Sequence, residues 1–129
     1  MRDAVRAAAE RGSAVLVAHA ACYACADRSD VLRVCVTAPL AKRVARLAAD
    51  RGIQDDDAAK ILRQSDTGRS RYLRRVYGIE ETPSDYDVVI NTERLTPQAA
   101  VDVIVGLVGS HPAIDEPGDG QAALGHIQR

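Results

Sequence analysis

A run of arginines between Asp55 and Gly78 carries the clearest chemical signal in this chain of 129 residues. Between Lys60 and Arg75 it contains six cations and one carboxylate, Asp66, so the charge of this stretch is +5, whereas the whole chain has a net charge of −1. Guanidinium groups bind phosphate through paired hydrogen bonds, so this basic segment predicts an anionic partner, with phosphate as the first candidate. The six cations are Lys60, Arg63, Arg69, Arg71, Arg74 and Arg75.

Three cysteines offer a second possible chemistry. Cys22 and Cys25 form a Cys-x-x-Cys pair, with His19 three residues before it and Cys35 further along the chain. Such a pair could be redox-active if it opened a helix, and the four side chains together could bind zinc. Small thiols in a reducing compartment are by default buried in the core. We therefore expect buried thiols and no metal.

Short apolar runs alternate with helical segments along the chain, and this order must position the arginines. Residues 14–18, 31–36 and 86–90 are predicted to be buried strands, and residues 2–11, 39–51, 55–78 and 97–108 to be helices. Gly52 and Gly78 end two of these helices, and Gly68 weakens the middle of the longest one, where we expect a bend. The alternation predicts an α/β fold with a three-layer parallel sheet and flanking helices.

The length of the chain allows one domain. We assign it to residues 1–109, with a helical arm at about 55–78, and we expect the weakly patterned residues 110–129 to be a mobile tail. No apolar run approaches the roughly 20 residues that span a bilayer, and no signal-peptide pattern is present. We expect a cytoplasmic protein with no membrane partner. Nucleic acid is a poorer candidate than a small molecule, because no aromatic platform alternates with the arginines.

Three passages, taken together and in order, resemble a known family. The first is VLRVCVTAPLAKRVAR from Val31, and the second is Asp66-x-x-Arg69-x-Arg71-Tyr72 with Tyr77-Gly78. The third is YDVVINT from Tyr86, followed by Leu95-Thr96 and a helix. Over residues 14–108 the chain resembles the cytidylate kinase-like family of the nucleoside monophosphate kinase fold.

The resemblance implies transfer of the γ-phosphoryl group from ATP, with Mg²⁺, to a nucleoside monophosphate. The arm would be the lid of such an enzyme, and its arginines, Arg69 and Arg71, would neutralise charge on the transferred group. Asp66 would orient an arginine or touch the substrate. A solvated helix face, with Asp66 and Arg69 as an ordinary i,i+3 pair, is the alternative for this segment.

The resemblance also implies residues that bind the acceptor nucleotide. Arg43 and Arg46 match positions near the acceptor site, although Arg43 could instead pair with Asp50 or with the acidic run at 55–57. Asn91 stands at a strand end where related kinases carry a polar residue, and a turn residue is the alternative there. His19 replaces the arginine expected to bind the acceptor's phosphate, and it is a weaker, pH-dependent cation.

One part of the family pattern is missing. The phosphate-binding loop GxxxxGK[ST] is absent, because no Gly-Lys pair occurs in the sequence. We therefore expect an incomplete P-loop kinase-like fold without the P-loop strand, which would lie between the strands at 14–18 and 31–36. Either a longer kinase-like protein has been truncated, or a degenerate homologue has kept the lid and lost the donor site. Unpaired sheet edges would favour a homo-oligomer.

The sequence is compatible with an enzyme and with two non-catalytic alternatives. The first hypothesis is a kinase-like protein that is inactive without its P-loop, so that neither ATP nor Mg²⁺ is assured for this chain. The alternatives are a non-catalytic module that binds a nucleotide or another phosphate-bearing small molecule, and a homo-oligomeric interaction module.

Overall fold

The computed structural model describes residues 2–11, 14–18, 20–110 and 122–127. Its elements are α1 (Arg2–Glu10), β1 (Val15–Val17), α2 (Ala21–Ala24), β2 (Val31–Thr37), α3 (Leu40–Arg51), α4 (Asp55–Tyr77), a 3-10 turn (Pro83–Asp85), β3 (Val88–Asn91), α5 (Pro97–Ser110) and β4 (Ala122–Ile127). They fall into two compact units. The first unit comprises residues 1–37 and 82–128 and contains the sheet, and the second contains α3 and α4 in residues 38–81.

The sheet of the first unit has four strands in the order β1-β4-β2-β3. Every neighbouring pair of strands is parallel, with Val34 opposite Val88 and Val36 opposite Ile90 in the β2–β3 register. The parallel sheet with helices confirms the predicted α/β class. None of the helices in the described residues is long and apolar enough to cross a membrane.

Strand β4 comes from the range that we expected to be a mobile tail. It pairs on one side with β1, where Val15 lies opposite Ala123, and on the other with β2, where Val31 lies opposite Ala122. A strand therefore lies between β1 and β2, where the resemblance led us to expect a missing one. The sequence of β4 is AALGHI, whose alanines and glycine have low strand propensity, so pattern analysis gave no sign of it.

Packing in the first unit is built from small aliphatic side chains on either side of β2. Successive residues of a strand point to opposite faces of the sheet, and the buried residues Val31 and Leu32 accordingly join different clusters. Val31 packs with Ala9, Ala21, Ala24 and Cys25. Leu32 packs with Val34, Ile90 and Ala100, so that α5 is fixed against β2 and β3.

Polar contacts join β2 and β3 at both ends of the stretch over which the two strands pair. Asp87 accepts hydrogen bonds from the backbone N of Arg33 at 2.6 Å and from its Nη2 at 2.9 Å, and this partner raises the pKa of the Arg33 guanidinium. At the other end, the backbone N of Thr92 donates to the carbonyl O of Thr37 at 2.8 Å. Asn91, the last residue of β3, lies opposite Thr37 in this register.

The second unit consists of two helices, and glycines in the sequence predicted the C-terminal end of each. Gly52 ends α3 and Gly78 ends α4, and both have left-handed backbones, with φ of 63° and 68°. Helix α4 contains 23 residues without interruption, so the helix does not end at Gly68; the bend expected there stays a prediction. Its first turn carries three aspartates and its last turn two arginines, which complements the helix dipole.

Candidate functional site

The exposed face of α4 carries a row of side chains suited to binding an anion. An α-helix turns about 100° per residue, so residues four apart lie on one side. Arg63, Thr67 and Arg71 have this spacing, and both arginines are exposed. With Gln64 and Gly68 they line a shallow concavity of about 410 Å³. We call this surface the arginine face; it presents two guanidinium groups with a hydroxyl between them.

The opposite side of α4 is buried. Ala58, Leu62 and Leu73 are the buried residues of this helix, and helical spacing places Arg69 among them. The Arg69 side chain is only 8% exposed. Its Nε donates to Oε2 of Glu81 at 2.9 Å, and its Nη2 donates to Oε1 of the same carboxylate. Arg69 is thus neutralised inside the second unit.

Arg69 and Arg71, which the sequence predicted to act together, lie on opposite faces of α4. Residues two apart on a helix point about 200° away from each other. The structure accordingly places Arg71 with Arg63 on the exposed face, and Arg69 with Glu81 on the buried one. The i, i+4, i+8 spacing of Arg63, Thr67 and Arg71 was visible in the sequence and would have identified the arginine face. The catalytic roles suggested for Arg69 and Arg71 stay predictions.

Asp66 and Arg43 form a second ion pair in this unit, between α4 and α3. Nη1 of Arg43 donates to Oδ2 of Asp66 at 2.9 Å, and Nη2 donates to Oδ1 at 2.7 Å. The pair differs from both sequence alternatives, which joined Asp66 to Arg69 and Arg43 to Asp50 or the acidic run at 55–57. Arg46, one turn further along α3, is exposed.

The remaining predicted substrate residues are Asn91 and His19. Asn91 ends β3 in the first unit and is exposed, and its Oδ1 accepts a hydrogen bond from the backbone N of Glu93 at 2.9 Å. This contact is typical of an Asx turn, the alternative that the sequence left open. His19 lies outside the described residues.

The three cysteines are buried, and no disulfide joins them. Burial raises the pKa of the Cys25 thiol, which keeps it protonated and unreactive. Cys22 and Cys35 share a cluster with Tyr86. Among the residues that the structure describes, which do not include His19, no group of three or more potential ligands could hold a metal ion.

The carboxylates of the second unit's ion pairs are not available to Mg²⁺. Mg²⁺ is bound by carboxylate oxygens and phosphates, whereas Asp66 and Glu81 are bound by arginines. The sequence also lacks the Gly-Lys pair that binds donor phosphates. The described residues therefore do not fit a Mg²⁺–ATP donor site, and we derive no phosphoryl-transfer step from them.

Comparison with known proteins gives a consistent result. Residues 1–94 match the model of the cytidylate kinase-like family. A cytidylate kinase from Ignicoccus hospitalis is 35% identical over 97 residues, which cover 74% of this chain and 56% of that protein. Another, from Sulfolobus acidocaldarius, is 37% identical over 79 residues, which cover 60% of this chain and 43% of that protein. The chain thus spans about half the length of the curated relatives it matches. The chain belongs to the cytidylate kinase-like family.

Proposed function

We propose that the chain binds the phosphate of a nucleotide at the arginine face and does not transfer a phosphoryl group by itself. The observation that carries the proposal is the placement of Arg63, Thr67 and Arg71 on one exposed side of α4. Cytidine monophosphate is the first ligand to test, because the matched relatives are named cytidylate kinases.

The energetics favour a modest affinity. Hydrogen bonds to charged groups contribute about 1.5–3 kcal/mol each, and less where water competes at an exposed surface. Loss of one guanidinium should therefore weaken phosphate binding about tenfold, which corresponds to about 1.4 kcal/mol.

Isothermal titration calorimetry with CMP at low ionic strength tests the proposal. We expect binding by the wild type and about tenfold weaker binding by Arg63→Ala and by Arg71→Ala. Arg94→Ala is the matched control, since it removes an exposed arginine from the first unit and should leave the affinity unchanged. Absence of CMP binding by the wild type, or an equal loss in all three variants, would contradict the proposal.

The same proposal extends to catalysis, to the fold and to the location of the chain in the cell. The chain is a kinase-like protein of the cytoplasm that does not turn over ATP alone. Its three-layer fold has β4, and not a P-loop strand, between β1 and β2. The absence of GxxxxGK[ST] supports this view. Formation of CDP from CMP and ATP by the purified chain, lost in Arg71→Ala, would overturn it.

Self-association is a second candidate function. The first unit presents exposed apolar side chains that a second copy could cover. In β1 these are Val15 and Val17, which are 74% and 60% exposed, and in α5 they include Val101 and Val105. Sedimentation analysis at tens of micromolar should detect a dimer that Val15→Lys weakens. A monomer at that concentration would remove this candidate.

A further inference from the structure

Nothing in the part of the chain that the structure describes explains why position 68 of α4 is a glycine. It lies in the interior of α4, where glycine lowers helix stability relative to alanine because its backbone loses more conformational freedom. A helix end does not account for it, because α4 continues for nine residues beyond it, to Tyr77. Tight packing does not account for it either, because an added Cβ would meet nothing within 4 Å.

The position of Gly68 suggests what the missing side chain leaves room for. Gly68 is four residues after Gln64, so the two form a second row on α4, beside the row of Arg63, Thr67 and Arg71. Both rows line the same concavity. The first row offers positive charge and a hydroxyl group. The second offers a bare stretch of backbone next to an amide that can both donate and accept hydrogen bonds.

We propose that the Gln64–Gly68 row receives the nucleoside part of the ligand while the arginines bind its phosphate. The flat base lies on the backbone at Gly68, closer to the helix than a Cβ would allow, and the Gln64 amide hydrogen-bonds its polar edge. Gly68 and Gln64 are then specificity-determining residues, because they discriminate a nucleotide from a simple phosphate ester. This inference rests on the function proposed above.

The test compares Gly68→Ala with Gly106→Ala. Gly106 lies inside α5, and a Cβ added there also meets nothing within 4 Å, so it is a matched control for the effect of alanine on a helix. Both variants should raise the urea midpoint of unfolding. Only Gly68→Ala should weaken CMP binding, by about tenfold or more, while its affinity for methyl phosphate, which has no base, stays unchanged. Gln64→Ala should likewise weaken CMP binding and spare methyl phosphate.

The outcomes separate this inference from the proposed function. If the wild type binds CMP and Gly68→Ala binds it equally well, Gly68 does not contact the ligand and the inference fails alone. If Gly68→Ala weakens CMP and methyl phosphate equally, the residue contacts the phosphate, and the placement of the base is wrong. If the wild type binds neither ligand, the proposed function fails first and the inference fails with it.

Discussion

The two arginines at positions 69 and 71 should have opposite energetic roles despite their proximity in the sequence. Arg69 is 8% exposed and is bound to a carboxylate that is 21% exposed, whereas Arg71 is exposed. Removing one partner of a buried ion pair costs about 3–5 kcal/mol because the other charge is left uncompensated. Since Glu81 retains some contact with water, we take the lower end. Arg69→Met should therefore lower the free energy of unfolding by about 3 kcal/mol.

The matched variant is Arg71→Met, which makes the same chemical change on the exposed side of the helix. Such surface substitutions change stability by about 0.5 kcal/mol or less. Methionine keeps an apolar stem in both cases, so the comparison isolates the charge. In urea unfolding followed by circular dichroism, a slope of about 2 kcal/mol/M converts the Arg69 loss into a fall of about 1.5 M in the midpoint.

A third variant checks the physical cause of the loss. Arg69→Met combined with Glu81→Gln also removes the carboxylate charge that Arg69 offsets in the wild type, so it should be more stable than Arg69→Met alone. Equal losses in Arg69→Met and Arg71→Met would refute the assignment of the two side chains to opposite faces. A double variant no better than Arg69→Met would refute the ion-pair explanation.

Three further outcomes follow from the structure. Gly78→Ala should cost about 1 kcal/mol in thermal unfolding, because its φ of 68° disfavours a side chain while no atom crowds the position; unchanged stability would contradict this reason. Arg28 lowers the pKa of Asp30, mainly through a hydrogen bond. The pair therefore stabilises the fold fully at pH values above about 3.9, the pKa of an aspartate in the unfolded chain. This stabilisation is lost as the pH falls through the lower pKa that Asp30 has in the folded protein. Asp30→Asn should thus be less stable than wild type at neutral pH, and this difference should shrink in acid; a constant difference in urea midpoints would exclude the linkage. Finally, burial raises the pKa of Cys25, so a thiol reagent should label it in urea but not in the folded protein, and rapid labelling of the folded form would count against this.

Local signals in the sequence predicted much of the fold. The apolar run at β2 and the glycines after α3 and α4 gave these elements close to their observed bounds, because strand burial and left-handed helix ends depend on nearby residues. Strand β4 was missed because its identity depends on two distant partner strands and not on its own composition.

The ion pairs of the second unit were harder to predict for the same reason. Asp66 could have paired with an arginine on its own helix, but its partner Arg43 is 23 positions away and reaches it only once the helices pack. Glu81 was not singled out at all, since nothing around it in sequence marks it as a partner of Arg69. The arginine face, by contrast, follows from spacing alone and needed only helical geometry.

The central place of β4 has a consequence for the order in which the chain assembles. Among the described residues, β1 joins the sheet through β4 alone, and its pairing of Val15 with Ala123 connects positions 108 residues apart. Contacts this distant in sequence form slowly, whereas α3 and α4 are close neighbours along the chain and can pair early. During synthesis, the helical pair can therefore form well before the ribosome releases β4, and β1 waits for a late strand to complete its hydrogen bonds.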